Sequence, residues 1–145
     1  MRAIVQRVSR ARVVVDDDVS GEIGLGILAL VGVSKEDDES NALALARKVV
    51  GLRIFNDDQG KMNLDLAAVG GAILAVSNFT LYGDTSRGRR PGFDQAAGYE
   101  QGERLYERFC QACIELGAAV ERGVYGADMQ VELVNSGPVT LIVEG

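Results

Sequence analysis

The sequence predicts one α+β domain over residues 1–145, with a largely antiparallel, barrel-like sheet and two main helices. Three observations lead there. Short β-branched or alternating runs outnumber helical ones. Only two stretches repeat apolar residues at helical spacing. Those two do not alternate with strands in a strict β-α order. A chain of 145 residues suits one domain and buries roughly two-thirds of its unfolded surface. With 47% hydrophobic residues it has material for a core without disulfides.

The elements follow in order. Residues 1–33 read as strands and turns. Val13-Val14-Val15 is β-branched, Asp16-Asp17-Asp18 and Ser20-Gly21 read as a turn, and Ile27 to Val33 is a buried strand. Residues 38–52 read as a helix with Ala42, Leu45, Val49 and Leu52 on one face. Asn56 to Gly60 is a loop, and Ile73 to Val76 a short buried strand. The second helix is predicted over 94–116, with Asp94 as N-cap and Gly117 as stop. Met129, Val131 and Leu133 alternate with Gln130 and Glu132, as in a half-buried strand. Val139 to Val143 is the final strand.

Composition narrows the chemistry. The net charge of -6 is opposite in sign to that of a usual nucleic-acid binder. Its distribution is uneven, because Arg2, Arg7, Arg10 and Arg12 crowd the start and Arg87, Arg89 and Arg90 crowd a later loop. No run of 18 apolar residues predicts a membrane span, and the first residues lack the apolar core of a signal peptide, so a cytoplasmic location is expected. The chain contains no histidine, which removes Ser-His-Asp and Cys-His arrangements and His-based metal sites. Asp16–Asp18 and Asp57-Asp58 could serve Mg²⁺ on paper, but both sit where turns already favour Asp. No metal and no cofactor is expected. Cys110 and Cys113 have redox spacing, yet Leu105, Phe109, Ala112 and Leu116 put them on the apolar face of a helix. Gly24-Leu25-Gly26 imitates a dinucleotide fingerprint, but a strand follows where that motif needs a helix.

Two segments stay unexplained by such rules. Ser77-Asn78-Phe79-Thr80-Leu81 places small hydroxyl residues directly after a buried strand, where backbone N–H groups can meet an anion. Asn135-Ser136-Gly137-Pro138-Val139-Thr140 holds one of the two prolines between two expected strands. An ordinary tight turn and a functional loop are both open for it.

These segments carry a resemblance. The first resembles the S-Q-F-T-L motif of D-aminoacyl-tRNA deacylases, and the second is similar to their N-x-G-P-V-T motif. The opening Met1 to Val8, Leu52-Arg53-Ile54-Phe55, Gly88-Arg89-Arg90-Pro91 and Gly123 to Met129 match in the same order. Asn78 departs from the pattern, standing one methylene shorter than the family's Gln. The resemblance implies a homodimer with active sites at the subunit interface. It implies cleavage of the ester between a D-amino acid and the tRNA acceptor end, and likewise of glycine mischarged on tRNA-Ala. Ser77, Phe79 and Thr80 would line the reaction centre beside Asn78, with backbone N–H groups facing the ester. Tyr125 and Met129 would hold the adenine, while Gly126 and Ala127 would let it approach. A cis Gly137–Pro138 bond would enter the partner's pocket and reject L-amino acids by backbone alone. A non-catalytic tRNA-end or nucleotide-binding module, a relative with a trans Gly-Pro bond, and a redox protein built on Cys110 and Cys113 are the competing readings.

Overall fold

A computed structural model describes the whole chain, residues 1–145. Strand β1 spans Arg2–Val15, and β2 (Asp18–Ile23) returns antiparallel to its second half. The turn between them is made by Asp16 and Asp17, at φ of 49° and 67°. Two consecutive positive φ angles suit the twist of a tight hairpin, and Asp tolerates that region better than most side chains. Ser20 and Gly21, expected in the turn, therefore lie inside β2. Strand β3 (Gly26–Gly32) pairs antiparallel with the first half of β1. Helix α1 (Glu39–Gly51) follows and matches the expectation: the Asp38 carboxylate accepts from Ser40 N at 2.9 Å, and Asn41 Oδ1 accepts from Asp38 N at 2.9 Å.

A small hairpin of β4 (Phe55–Asn56) and β5 (Met62–Leu64) leads to a one-turn helix, α2 (Leu66–Val69), that sequence periodicity does not reveal. Asp57 Oδ1 accepts from Gln59 N and Lys61 N at 2.9 and 3.0 Å, so this acid organises its own turn. Strand β6 (Ala72–Ser77) lies parallel to β3, and β7 (Ala119–Arg122) lies parallel to β6. The sheet is thus antiparallel around β1 and parallel across β3, β6 and β7. Ser20 Oγ comes within 3.5 Å of Arg122 O, bringing β2 back against β7 and nearly closing a barrel.

Helix α3 runs Tyr99–Glu115 with Gly98 as N-cap, five residues later than the expected start at Asp94. The intervening backbone is spoken for: Lys35 N donates to Gln95 O at 3.0 Å and Ala97 N to Val33 O at 2.9 Å. These bonds hold residues 95–97 beside the end of β3 and keep them out of the helix. Cys110 and Cys113 are free and buried in α3, and burial pushes their thiols up to about 11 and about 12. At neutral pH both stay protonated, which removes the thiolate that redox exchange needs.

Two apolar cores lie on opposite faces of the sheet. Ile27, Ala29, Val31, Ile73 and Ala75 face α1 and α3. Leu28, Leu74 and Val76 face the barrel interior. A parallel pair covered on both faces is expected to read as a continuous hydrophobic run, and it does. Strand β1 changes sides: Ala3 and Val5 belong to the helical core, whereas Val8, Ala11 and Val13 belong to the interior. The register explains this. Val8 pairs Asn135 and Arg10 pairs Val134, so Ser9 is a surplus residue that exchanges the faces. Strand β8 (Gln130–Glu144) pairs along the whole of β1 and is also irregular. Gln6 pairs Thr140 while Val8 pairs Asn135, so the Gly-Pro segment is an outward excursion of one long strand rather than a turn between two.

The two glycines of Gly24-Leu25-Gly26 separate cleanly. A Cβ on Gly26 would overlap Ala72 O and come within 2.8 Å of Ala72 N on the neighbouring backbone, whereas one on Gly24 meets nothing within 4 Å. Gly26→Ala should therefore lose about 3 kcal/mol by overpacking, measured by urea unfolding. Gly24→Ala should unfold at nearly the wild-type midpoint; equal losses would refute the account.

Candidate active site

The carboxyl ends of the parallel strands are where ligands collect in open α/β arrangements, because loops there diverge above the sheet. Here a cleft of about 600 Å³ opens at that end. Leu28, Leu30, Val76, Val131 and Leu133 form its apolar floor. Ser77, Asn78 and Phe79 form one wall and Tyr125, Gly126, Ala127, Asp128 and Met129 the other. A second depression of about 410 Å³, over β1, β2 and β8, is crossed by the Arg12–Glu132 ion pair and contains none of the expected residues.

The first wall is built by a sharp change of backbone. Asn78 ends the β6 extension and Phe79–Tyr82 forms a 3-10 turn capped by the Asn78 side chain. Asn78 Oδ1 accepts from Thr80 N at 3.1 Å and from the Thr80 hydroxyl. Asn78 N donates to Val31 O at 2.8 Å. Gly32 makes room for this turn, since a Cβ there would meet Leu81 Cβ at 3.0 Å and Asn78 O at 3.2 Å. The N–H groups of Asn78 and Thr80 are thus engaged within the protein. Phe79 N, as the first residue of the turn, has no carbonyl of that turn to bond.

The second wall leaves β7 through Gly123, whose N–H donates to Ala75 O at 3.0 Å. Tyr125 crosses α3 at Gly102, where a side chain would collide with the phenol oxygen, and donates its hydroxyl proton to Tyr99 O at 3.0 Å. The Tyr99 and Tyr125 rings meet edge to face at 5.0 Å. Gly126 is held at φ 76°, and a Cβ would stand 2.7 Å from the Tyr99 hydroxyl, so both conformation and space call for glycine. Met129 packs over Gly123, where a Cβ would meet its sulfur at 2.7 Å.

Of the residues expected at the site, Ser77, Asn78, Phe79, Tyr125, Gly126, Ala127 and Met129 meet in one cleft. Thr80 is exposed just outside, with its hydroxyl turned to Asn78. Gly137 and Pro138 are exposed on β8 and do not line the cleft of their own chain, and their peptide bond is cis. Their segment is tied down from both ends. Asn135 Nδ2 donates to Arg7 O and Val139 O at 2.9 and 3.0 Å, and Arg7 Nε donates to Ser136 O at 3.2 Å. Arg7 also donates to Ile54 O at 2.7 Å, so this arginine of the basic opening run serves architecture. Sequence reading missed Gln6, Tyr99 and Asp128, which also line the cleft. Gly102 marks the close passage of Tyr125, as a glycine inside a helix often does, whereas no local pattern pointed to Gln6, Tyr99 or Asp128.

Known proteins resemble this chain over nearly its whole length. A family model described as D-Tyr-tRNA(Tyr) deacylase matches residues 4–144. The chain is 58% identical to the D-aminoacyl-tRNA deacylase of Symbiobacterium thermophilum, covering 99% of this chain and 95% of that one. It is 57% identical to that of Pelobacter propionicus, with 99% of both chains covered. Among solved structures, a c-Myc DNA unwinding element binding protein superposes with a TM-score of 0.95 at 37% identity, over 100% of this chain and 99% of that one. A probable eukaryotic D-amino acid tRNA deacylase shares the fold, with a TM-score of 0.82 at 18% identity over 99% of this chain and 98% of that one.

The Thr80 hydroxyl has no histidine to activate it, and its hydrogen bond runs to an amide oxygen, which is a poor base. Thr80→Ala should keep measurable deacylation. Intact-mass analysis of quenched wild-type turnover should show no aminoacyl adduct; a trapped ester on Thr80 would overturn this.

Proposed function

The chain belongs to the D-Tyr-tRNA(Tyr) deacylase family, and on that premise we propose how it hydrolyses D-aminoacyl-tRNA to free D-amino acid and tRNA. One observation carries the reading: Ser77–Phe79 of the first motif and the matching segment Tyr125–Met129, far apart in sequence, face each other across one cleft. Tyr125 and Met129 hold the terminal adenine, with Gly126 and Ala127 giving it room. Ser77 and Phe79 flank the ester, while Thr80 stands at the rim and braces the wall through Asn78. A water oxygen adds to the carbonyl carbon, the bond from that carbon to the ribose oxygen breaks, and the ribose oxygen takes up a proton. The neighbouring ribose hydroxyl stands where it can assist that transfer. Phe79 N–H is the backbone donor left for the developing oxyanion, and such a donor is worth about 3 kcal/mol in the transition state. The site draws on position and backbone dipoles, and no histidine takes part.

Chiral selection is assigned to Gly137–Pro138. These residues lie outside their own cleft, so the reading places them in the cleft of a second copy, as a two-fold dimer would. Strand β8 pairs only with β1, leaving a 15-residue edge open, and Val134, Leu141 and Ile142 are exposed along it. Gly137 has no Cβ, so the backbone wall can stand close to the substrate's α-carbon. A D-side chain points away from that wall and an L-side chain into it. Glycine has nothing to clash, so glycyl-tRNA mischarged on tRNA-Ala is also a substrate. A cytoplasmic location goes with such substrates, and no helix is long and apolar enough to cross a membrane.

A non-catalytic nucleic-acid module is the other reading, favoured by the likeness to a c-Myc DNA unwinding element binding protein. Matched substrates decide between them. The wild type should discharge D-aminoacyl-tRNA and glycyl-tRNA-Ala while sparing L-aminoacyl-tRNA. No release from any of them would leave the binding module. Equal release from D- and L-substrates would sink the chiral wall. Gly137→Ala and Phe79→Ala should each lose most activity. Mixed and refolded together, they should recover about a quarter of wild-type rate, because half the two-fold dimers then carry one intact site. No recovery would mean that each chain completes its own site.

A further inference from the structure

We propose that the loop from Asp84 to Gly92, together with the exposed Phe79–Phe93 pair, is the landing track for the single-stranded acceptor end upstream of the terminal adenosine. This rests on the deacylase reading and says how an acidic protein meets its polyanionic substrate. The loop leaves the 3-10 turn two residues after Tyr82 and is closed by paired bonds between Asp84 and Gly92, at 2.7 and 2.8 Å. Immediately after it, Phe93 packs edge to face on Phe79 with ring centroids 5.1 Å apart, which anchors the loop to the cleft wall. Phe79 is 58% exposed and Phe93 37%, a wet aromatic surface at the cleft mouth.

Charge points the same way. Arg2, Arg12, Arg108 and Arg122 each hold a carboxylate, and Arg7 and Arg53 bond backbone carbonyls. Arg87, Arg89 and Arg90 are all exposed and take part in none of these pairs. Asp84, the acid at the loop base, is exposed and accepts from Ser86 N at 2.8 Å, with no arginine paired to it. In a chain of net charge -6, three adjacent unpaired guanidinium groups beside the cleft are where phosphates would be met. Unpaired arginines and exposed aromatic rings together are the means by which single strands are held without sequence preference.

The test uses full-length protein and an uncharged acceptor-stem hairpin ending in CCA, with binding followed by fluorescence anisotropy across a salt series. Replacing Arg87, Arg89 and Arg90 by Ala should flatten the slope of log K against log salt by about 2, the value for three phosphate contacts on a single strand. Replacing the same three by Lys should restore it. Hydrolysis of D-aminoacyl-adenosine, which carries no phosphate, should match wild type in both variants. An unchanged salt slope in the Ala variant overturns the track, and so does equal loss of the small-ester activity. If the wild type cleaves no D-aminoacyl ester, the deacylase reading falls, and the salt slope still decides the track.

Discussion

The backbone ladder between β1 and β8 is the constraint on which the rest depends. β1 carries β3 and β2 along one edge and β8 along the other. A regular ladder would keep one face of each strand on one core throughout. Here both strands change cores near Val8. Ser9 is the surplus residue on β1, and the excursion after Asn135 is the surplus on β8. Above that level Val139 and Val143 join Ala3 and Val5 under the helices, and below it Val131 and Leu133 join Ala11 and Val13 in the interior. The irregularity that pushes Gly137 and Pro138 out of the sheet is thus the one that lets a single strand pair serve two cores.

The cleft follows from the same arrangement. Its floor is the uncovered part of the interior core, and its walls are the loops that leave β6 and β7 at their carboxyl ends. Glycines clear the space that side chains then fill: Gly32 for the 3-10 turn, Gly102 for Tyr125 and Gly126 for Tyr99. Asn78 spends its side chain on Thr80 and its N–H on Val31, so the shorter amide is occupied within the wall. Asp128 is the carboxylate in the cleft lining, and the chain has no histidine to add.

Much of this was legible in the sequence, for reasons that can be stated residue by residue. Helix α1 announces itself because Asp38 and Asn41 form its cap and Ala42, Leu45 and Val49 repeat on one face. Buried β3 and β6 announce themselves as apolar runs with no polar interruption. The start of α3 was not legible, because residues 95–97 are held by bonds to Lys35 and Val33, some 60 positions away. The short α2 was hidden because one turn is too short to show a period.

The sequence by itself determined the types of the longer elements up to α3, the absence of histidine chemistry and the two motifs, since each is a property of neighbouring residues. Tertiary structure alone decided which faces those residues present. Alternation along β1 predicts two faces but not that Ser9 exchanges them, because a bulge is visible only against its partner strand. It likewise decided that Phe79 and Tyr125 share a cleft while Gly137 and Pro138 of the same chain stay outside it. Such separations depend on non-local pairing, and no local pattern of side chains encodes the distance between two loops.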